Sequence, residues 1–276
     1  GIVETCLDAL AAVPSIALSA ICSRPKSETK ARTLAAKYNI EAVYTDYELM
    51  LNDQDIDFVY IGIVNSMHYE YAKKALLHGK NVICEKPVAS HIKEFDELMD
   101  IAQKNKLFFF EAITLLHSPN YSFVRRHLCD IGKIRIVQAN YFQYSSRYDK
   151  FLQGIILPVF NPKLSGGCLY DLNVYNLHFV IGLLGKPVSV KYYPNIAANG
   201  IDTSGTAVLV YDGIIAACSA AKDSESISGI IIEGEKGYIH LDGAPNVCHN
   251  ITLKTADKIE SFDGEQHENR MTDEFI

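Results

Sequence analysis

The chain has 276 residues, of which 48% are hydrophobic and 21% charged, and its net charge is −7. That length suits two ordinary domains better than one small core, and the composition is too apolar for a disordered chain. The acidic balance and the lack of any Lys/Arg-rich run argue against a nucleic-acid surface, and no apolar run is long enough for a membrane span.

The first half alternates between helix and strand patterns. Spacing predicts a helix over Ile2–Ala12, a strand over Ile16–Cys22 and a helix over Ser27–Lys37. A continuous apolar run, Phe58–Ile63, reads as a strand buried on both faces. His68–His78 reads as a helix that Gly79 terminates in the left-handed capping position. Val82–Cys84 is the next strand. Ser90 is expected to cap a helix whose inward face is Ile92, Phe95, Leu98, Met99 and Ala102, and Leu107–Ala112 is a further strand. Such alternation predicts a parallel sheet covered on both sides, with ligands bound at the carboxyl ends of the strands. The loops beginning at Ser23, Val64 and Glu85 are therefore the ones to inspect.

After about residue 120 the texture changes. A helix over Tyr121–Leu128 leads into a strand over Ile134–Tyr144. A loop-rich stretch with Pro158 and Pro162 follows, then a helix over Leu172–Leu184. From Val188 to Leu253, strand follows strand across Gly/Asp turns, as in an antiparallel sheet. The expected fold is α/β, a Rossmann-type parallel-sheet domain (residues 1–118) followed by an α+β domain with a large, mostly antiparallel open sheet (residues 119–276). Both ends read as interrupted. Gly1-Ile2-Val3 enters a helix with no strand before it, and Met271–Ile276 starts a helical pattern that stops, so further residues are expected on either side.

Seven cysteines, Cys6, Cys22, Cys84, Cys129, Cys168, Cys218 and Cys248, form no C-x-x-C pair. Most lie in apolar runs, as thiols do in a reducing cytoplasm, which is the expected location; no signal peptide opens the chain.

Two segments carry chemistry. Cys84-Glu85-Lys86-Pro87 ends a buried strand, placing Lys86 at the ligand edge of the sheet with its backbone restricted by Pro87. An ammonium there can bind a substrate oxygen and stabilise a forming alkoxide. The same residues also fit a solvated Glu-Lys pair. The second segment runs from Ser165-Gly166-Gly167 to His178. Asp171 and Tyr175, four residues apart, share a helical face, with His178 near the same stripe. An acid and a phenol on one face can hold and protonate a substrate oxygen. The phenol titrates near ~10 unless a neighbouring ammonium lowers it. A helix-capping Asp and a core Tyr remain the alternative. Asp171 with His178 lacks the further ligands of a metal site, so no metal is expected.

Taken together, these segments resemble the Gfo/Idh/MocA family of glucose–fructose oxidoreductase and inositol dehydrogenase. There, a Glu-Lys-Pro segment ends a strand of the dinucleotide-binding domain, and a Gly-Gly segment leads to Asp and, four residues on, His or Tyr. Ser23-Arg24, the Asn65-to-His68 element and the Gly229–Leu241 strand-turn-strand extend the likeness to nearly the whole chain. The resemblance implies a nicotinamide-dependent oxidoreductase acting on a sugar, polyol or related hydroxy compound. Dihydrodiol dehydrogenase-like chemistry on cyclic diols, or a non-catalytic dinucleotide-binding regulator, are the alternatives. It implies Lys86, Tyr175 and Asp171 as catalytic residues. Gly1, Ile2, Ser23, Arg24, Val64, Asn65, His68, Glu85 and Lys86 would serve the cofactor, and Asp171, Tyr175, His178 and Arg147 the substrate. His117, Glu111 and Arg147 are candidates to face the cleft, each read in the first place as structural or peripheral. In this scheme the substrate lies between the domains, Tyr175 is the general acid/base, and Lys86 lowers its pKa. Asp171 orients a substrate hydroxyl or Lys86 itself. A homodimer or homotetramer through the outer face of the second-domain sheet is also implied.

The family's first strand and most of its glycine-rich turn are not in this sequence and are expected before Gly1, which fits the tail of that turn. Asn173 stands where relatives often carry Gly. At the end of the second expected strand an acidic residue would bind the ribose 2′-hydroxyl of NAD. Ser23 and Arg24 suit a 2′-phosphate instead, so NADP(H) is expected in preference to NAD(H).

Overall fold

The short apolar runs of the first half become parallel strands because each is bounded by a helix that returns the chain to the same end of the sheet. In the computed structural model, which describes residues 1–276, one unit comprises Gly1–Ala112 with His267–Ile276, and a second comprises Ile113–Gln266. The first unit runs α1 (Ile2–Ala11), β1 (Ala20–Cys22), α2 (Glu28–Tyr38), β2 (Ala42–Tyr44), α3 (Tyr47–Leu51), β3 (Phe58–Ile61), α4 (His68–Leu77), β4 (Asn81–Glu85), α5 (Ile92–Asn105) and β5 (Phe109–Ala112). β1 pairs with β2, and β4 lies between β3 and β5; every pairing is parallel. These two sheets correspond to positions 3-2 and 4-5-6 of a doubly wound sheet. The edges of β1 and β3 away from those partners pair with no strand.

Val59, Ile61, Val82 and Cys84 form the buried side of the three-stranded sheet, packed with Ala72, Ala75, Leu76, Leu98 and Ala102 of the helices. The strand at β1 is shorter than the expected Ile16–Cys22, and neither β2 nor α3 was anticipated. Three-residue strands carry too little periodicity to register. At α5 the cap is His91, not Ser90; the Glu94 carboxylate folds back to accept from the backbone N–H groups of both. The expected inward face also needs correction. Leu98 and Ala102 are buried, whereas Ile92, Phe95 and Met99 are exposed. Glu97 accepts from Tyr69 and pairs with Lys73 of α4, and Phe95 and Met99, two residues to either side of it, lie on the far side of α5 and face outward.

The second unit contains α6 (Pro119–His127), β6 (Ile134–Phe142), α7 (Tyr148–Leu152), α8 (Val174–Leu184), β7 (Ser189–Ile196), β8 (Asp202–Tyr211), β9 (Ile214–Ala221), β10 (Gly229–Gly234), β11 (Gly237–Asp242), β12 (His249–Thr255) and β13 (Ile259–Phe262). The strands form one eight-stranded sheet in the order β13-β12-β11-β10-β6-β9-β8-β7. All neighbours are antiparallel except β6 and β9. Alternation along the strands sends Val137, Ala139, Leu209, Cys218, Ile232 and Ile239 to a core shared with Phe123, Val124, Phe179 and Val180 of α6 and α8. The opposite face is open and places exposed Ile136, Ile215 and Val210 side by side across three strands.

The last residues depart from the expected division at 118/119. The chain passes between units at Ala112/Ile113, and residues 267–276, with α9 (Thr272–Phe275), belong to the first unit. Met271 is buried with Cys6 and Ala9 of α1, Phe275 meets Tyr60 edge-on, and Asn269 donates to Thr5 O at 2.7 Å. An apolar i, i+4 pair on a nascent helix finds its cover on α1, which sequence proximity to the second unit did not suggest.

Candidate active site

In the first unit, the loop after β4 is held from two sides. His68, at the start of α4, is fully buried; its Nδ1 lies 2.8 Å from Pro87 O and its Nε2 3.1 Å from Ile63 O. A neutral ring donates to one of these carbonyls and a protonated ring to both. Glu111, on β5, accepts from Val88 N at 3.1 Å. The Lys86-Pro87 turn, whose peptide bond is cis, is therefore fastened to the ends of β3 and β5. His68 was expected on the cofactor surface. Instead it is an internal clamp between the loops after β3 and β4, because both ring nitrogens are turned onto backbone.

Glu85 likewise faces inward, accepting from Tyr60 Oη at 2.5 Å. Burial, then the charge of Glu85, drives the Tyr60 phenol far above its ordinary range, so it stays a neutral donor. Burial pushes the Cys6 thiol up to about 12. The remaining cofactor candidates lie at the carboxyl ends of parallel strands or at a helix start. Ser23 and exposed Arg24 follow β1, where Ser23 N donates to Tyr44 O at 3.0 Å. Val64 and Asn65 open the short turn before α4, and Gly1 and Ile2 open α1. Strand ends and helix N-termini are where parallel sheets bind dinucleotides, so this chain's residues fit such a cofactor.

In the second unit, Gly166 and Gly167 are required by close packing. A Cβ on Gly167, whose φ is +113°, would fall 2.0 Å from Asp202 Oδ1, and one on Gly166 would fall 2.7 Å from Pro158 O. The space admits the Asp202 carboxylate, which accepts from Leu169 N and Tyr192 Oη, each at 2.7 Å. From there the chain makes a π-helical turn, Leu169–Asn173, before α8. Such turns are rare and recur at functional sites. Asn173 is fully buried and donates to Cys218 O at 2.9 Å, while Asn176 donates to Asn173 Oδ1 and Ser219 O. The amide thus ties the turn to β9, which explains a side chain where a glycine was expected.

Asp171 sits in the π turn and Tyr175 on the first turn of α8, packed against Tyr141 at 6.0 Å between ring centroids. His178 is half-buried on α8, and Arg147 is exposed at the start of α7. Sequence reasoning missed Lys222, just beyond β9. Its ammonium pairs with the Asp171 carboxylate and lies 5.3 Å from the centre of the Phe160 ring. A lysine continuing the apolar run of β9 was the available signal, though a weak one. No group of three or more His, Cys, Asp and Glu side chains converges as metal ligands.

The family described as "Oxidoreductase family, NAD-binding Rossmann fold" matches residues 4–112, and the "GFO/IDH/MocA C-terminal domain" matches residues 129–240. The scyllo-inositol 2-dehydrogenase (NADP(+)) IolU of Bacillus subtilis is 38% identical over 241 residues, 87% of this chain and 73% of that one. The chain belongs to the Gfo/Idh/MocA oxidoreductases. The trans-1,2-dihydrobenzene-1,2-diol dehydrogenase of Xenopus tropicalis is 28% identical over 74% of this chain and 61% of its own length. The fold is that of a 3-ketoreductase from Actinomadura kijaniata, solved with NADP and TDP-benzene. The TM-score is 0.82 at 23% identity, covering 98% of this chain and 83% of that one. As a Gfo/Idh/MocA protein, the chain is an NAD(P)-binding oxidoreductase with a Rossmann-like parallel sheet followed by a large, mostly antiparallel one.

Proposed function

We propose that this oxidoreductase prefers NADP(H) and interconverts a secondary hydroxyl and a ketone on a cyclic polyol, sugar or related compound. The observation that carries the reading is the Lys86-Pro87 turn, clamped by His68 and Glu111 at the carboxyl end of β4. An ammonium carried by a fastened backbone at a strand end suits an oxygen on which negative charge develops. Similarity to the NADP-dependent inositol dehydrogenase supports both the substrate class and the cofactor.

Gly1, Ile2, Ser23, Arg24, Val64, Asn65 and the backbone at Glu85-Lys86 would hold the dinucleotide, with Arg24 and Ser23 toward a 2′-phosphate. When bound, the nicotinamide supplies or accepts the hydride. Lys86 stabilises the substrate oxygen as an alkoxide, and Tyr175 gives or takes the hydroxyl proton. Asp171 accepts a hydrogen bond from a neighbouring substrate hydroxyl, and His178 and Arg147 contribute to binding. The open face of the second-unit sheet, with Ile136, Ile215 and Val210, suits a homodimer or homotetramer. Free thiols at all seven cysteines suit a reducing cytoplasm.

Fluorescence titration with NADPH and NADH, followed by a screen of inositols, sugars and cyclic diols at the nicotinamide absorbance band, tests the reading. Tighter NADPH binding with turnover of an inositol or sugar is expected. Turnover confined to diols favours the second reading, suggested by similarity to the dihydrodiol dehydrogenase. Dinucleotide binding with no turnover on the whole panel overturns both in favour of a regulatory dinucleotide sensor.

A further inference from the structure

Lys222 is among the most deeply buried charged residues of the protein, and nothing in the sequence pattern or in the proposed chemistry assigns it a task. Its backbone is pinned on both sides, its N–H donating to Thr203 O at 2.8 Å and its carbonyl accepting from Ser145 N at 2.9 Å. The side chain passes the buried Phe160 ring and ends on Asp171 Oδ2. The two partners are unequally placed. The Lys222 side chain retains 3% of its accessible surface and that of Asp171 31%.

Burying an ammonium costs several kcal/mol unless a carboxylate and further polar or aromatic contacts offset it. A buried pair that served stability alone could be replaced by apolar residues of similar volume at little cost. Here the ammonium is sealed in while the carboxylate keeps an accessible side. The carboxylate is also carried on a turn anchored independently, through Leu169 N to Asp202 and through Asn173 to Cys218 O.

We propose that Lys222 is a positioning residue: through its buried ion pair it holds the Asp171 carboxylate correctly aimed, so that the carboxylate accepts a hydrogen bond from a substrate hydroxyl adjacent to the reacting carbon. This rests on the placing of Asp171 at the substrate in the proposed function. Lys222 itself touches no substrate, being sealed behind Asp171 and Phe160. A hydroxyl–carboxylate bond made alike in ground and transition states contributes to KM and not to the hydride step.

The experiment is steady-state kinetics on the preferred polyol with wild type, Lys222→Met, Lys222→Arg, Asp171→Asn and the Lys222→Met/Asp171→Asn double variant, with NADPH affinity read by fluorescence. Lys222→Met keeps the length and the contact with Phe160. It should raise KM about ten- to one-hundred-fold, the range of a hydrogen bond to a charged group, while kcat changes less than about three-fold. Lys222→Arg should recover most of the loss, and NADPH affinity should be unchanged throughout. In the Asp171→Asn background, Lys222→Met should add less than about two-fold, because both act through one contact. Should Lys222→Met not fold, Lys222→Gln, which retains a donor without charge, is expected to show the same KM rise. An unchanged KM in Lys222→Met, or an equal further loss in the Asp171→Asn background, overturns the proposal while leaving Asp171 at the substrate. A wild-type KM in Asp171→Asn overturns the placing of Asp171 and this role together.

Discussion

Replacing His68 by Ala separates the clamp from the chemistry it is held to support. The imidazole is fully buried between Pro87 O and Ile63 O, so its loss leaves a cavity and removes the partner that the ring supplied to the two carbonyls. An orphaned buried polar group costs about 1–3 kcal/mol, and the cavity adds to this, giving roughly 2–5 kcal/mol in all. For a unit of this size, that lowers its melting temperature by on the order of 10 °C. The functional effect should be larger than residual unfolding explains. A displacement of about 1 Å in a catalytic group costs on the order of 10²-fold in rate, and Lys86 is one residue from the clamped carbonyl. Thermal unfolding and kcat/KM, both measured well below the new melting temperature, provide the assay. His68→Gln, which keeps one donor, should fall between wild type and His68→Ala. A His68→Ala protein with wild-type melting temperature and turnover would refute the clamp.

Two further outcomes follow from the site and the core. Arg24→Asp should shift preference from NADP(H) toward NAD(H) by at least about ten-fold in the ratio of kcat/KM values; an unchanged ratio would place the 2′-phosphate elsewhere. The Cys6 and Cys218 thiols are both pushed up to about 12 by burial, from an ordinary value of 9.0. Their folded values are raised, so their contribution is fully present below pH 9 and is lost as pH rises toward 12. Urea midpoints should accordingly fall between pH 9 and pH 11 more steeply in wild type than in Cys6→Ala, and parallel curves would contradict this linkage.

Much of the fold was legible because unbroken apolar runs and well-terminated helices carry strong patterns. The runs around Phe58–Ile61 and Asn81–Glu85, and the Gly79 stop, became elements at nearly the expected bounds. What was not legible depended on partners distant in sequence. Phe95 and Met99 face outward on the far side of α5 from Glu97, which meets Tyr69 and Lys73 on another helix. The return of Met271 and Phe275 to α1 depends on a contact about 265 residues away in the chain. The Lys86, Asp171 and Tyr175 segments could be picked out by motif order and spacing, and their proposed roles came from the family resemblance. His68 was assigned to the cofactor side through the resemblance of the Asn65-to-His68 element, and only burial against two carbonyls reveals a clamp. Lys222 was missed because a single lysine at the end of a strand is usually solvated.

The central claim is that Lys86 and Tyr175 carry out the proton and charge chemistry of hydride transfer, and single-turnover rates with saturating NADPH and ketone substrate test it most directly. Tyr175→Phe should slow the hydride step by about 10²–10⁴-fold, and Lys86→Ala should slow it further, while NADPH affinity in Tyr175→Phe stays at the wild-type value. A near-normal hydride rate in Lys86→Ala with every substrate that wild type reduces would contradict the account.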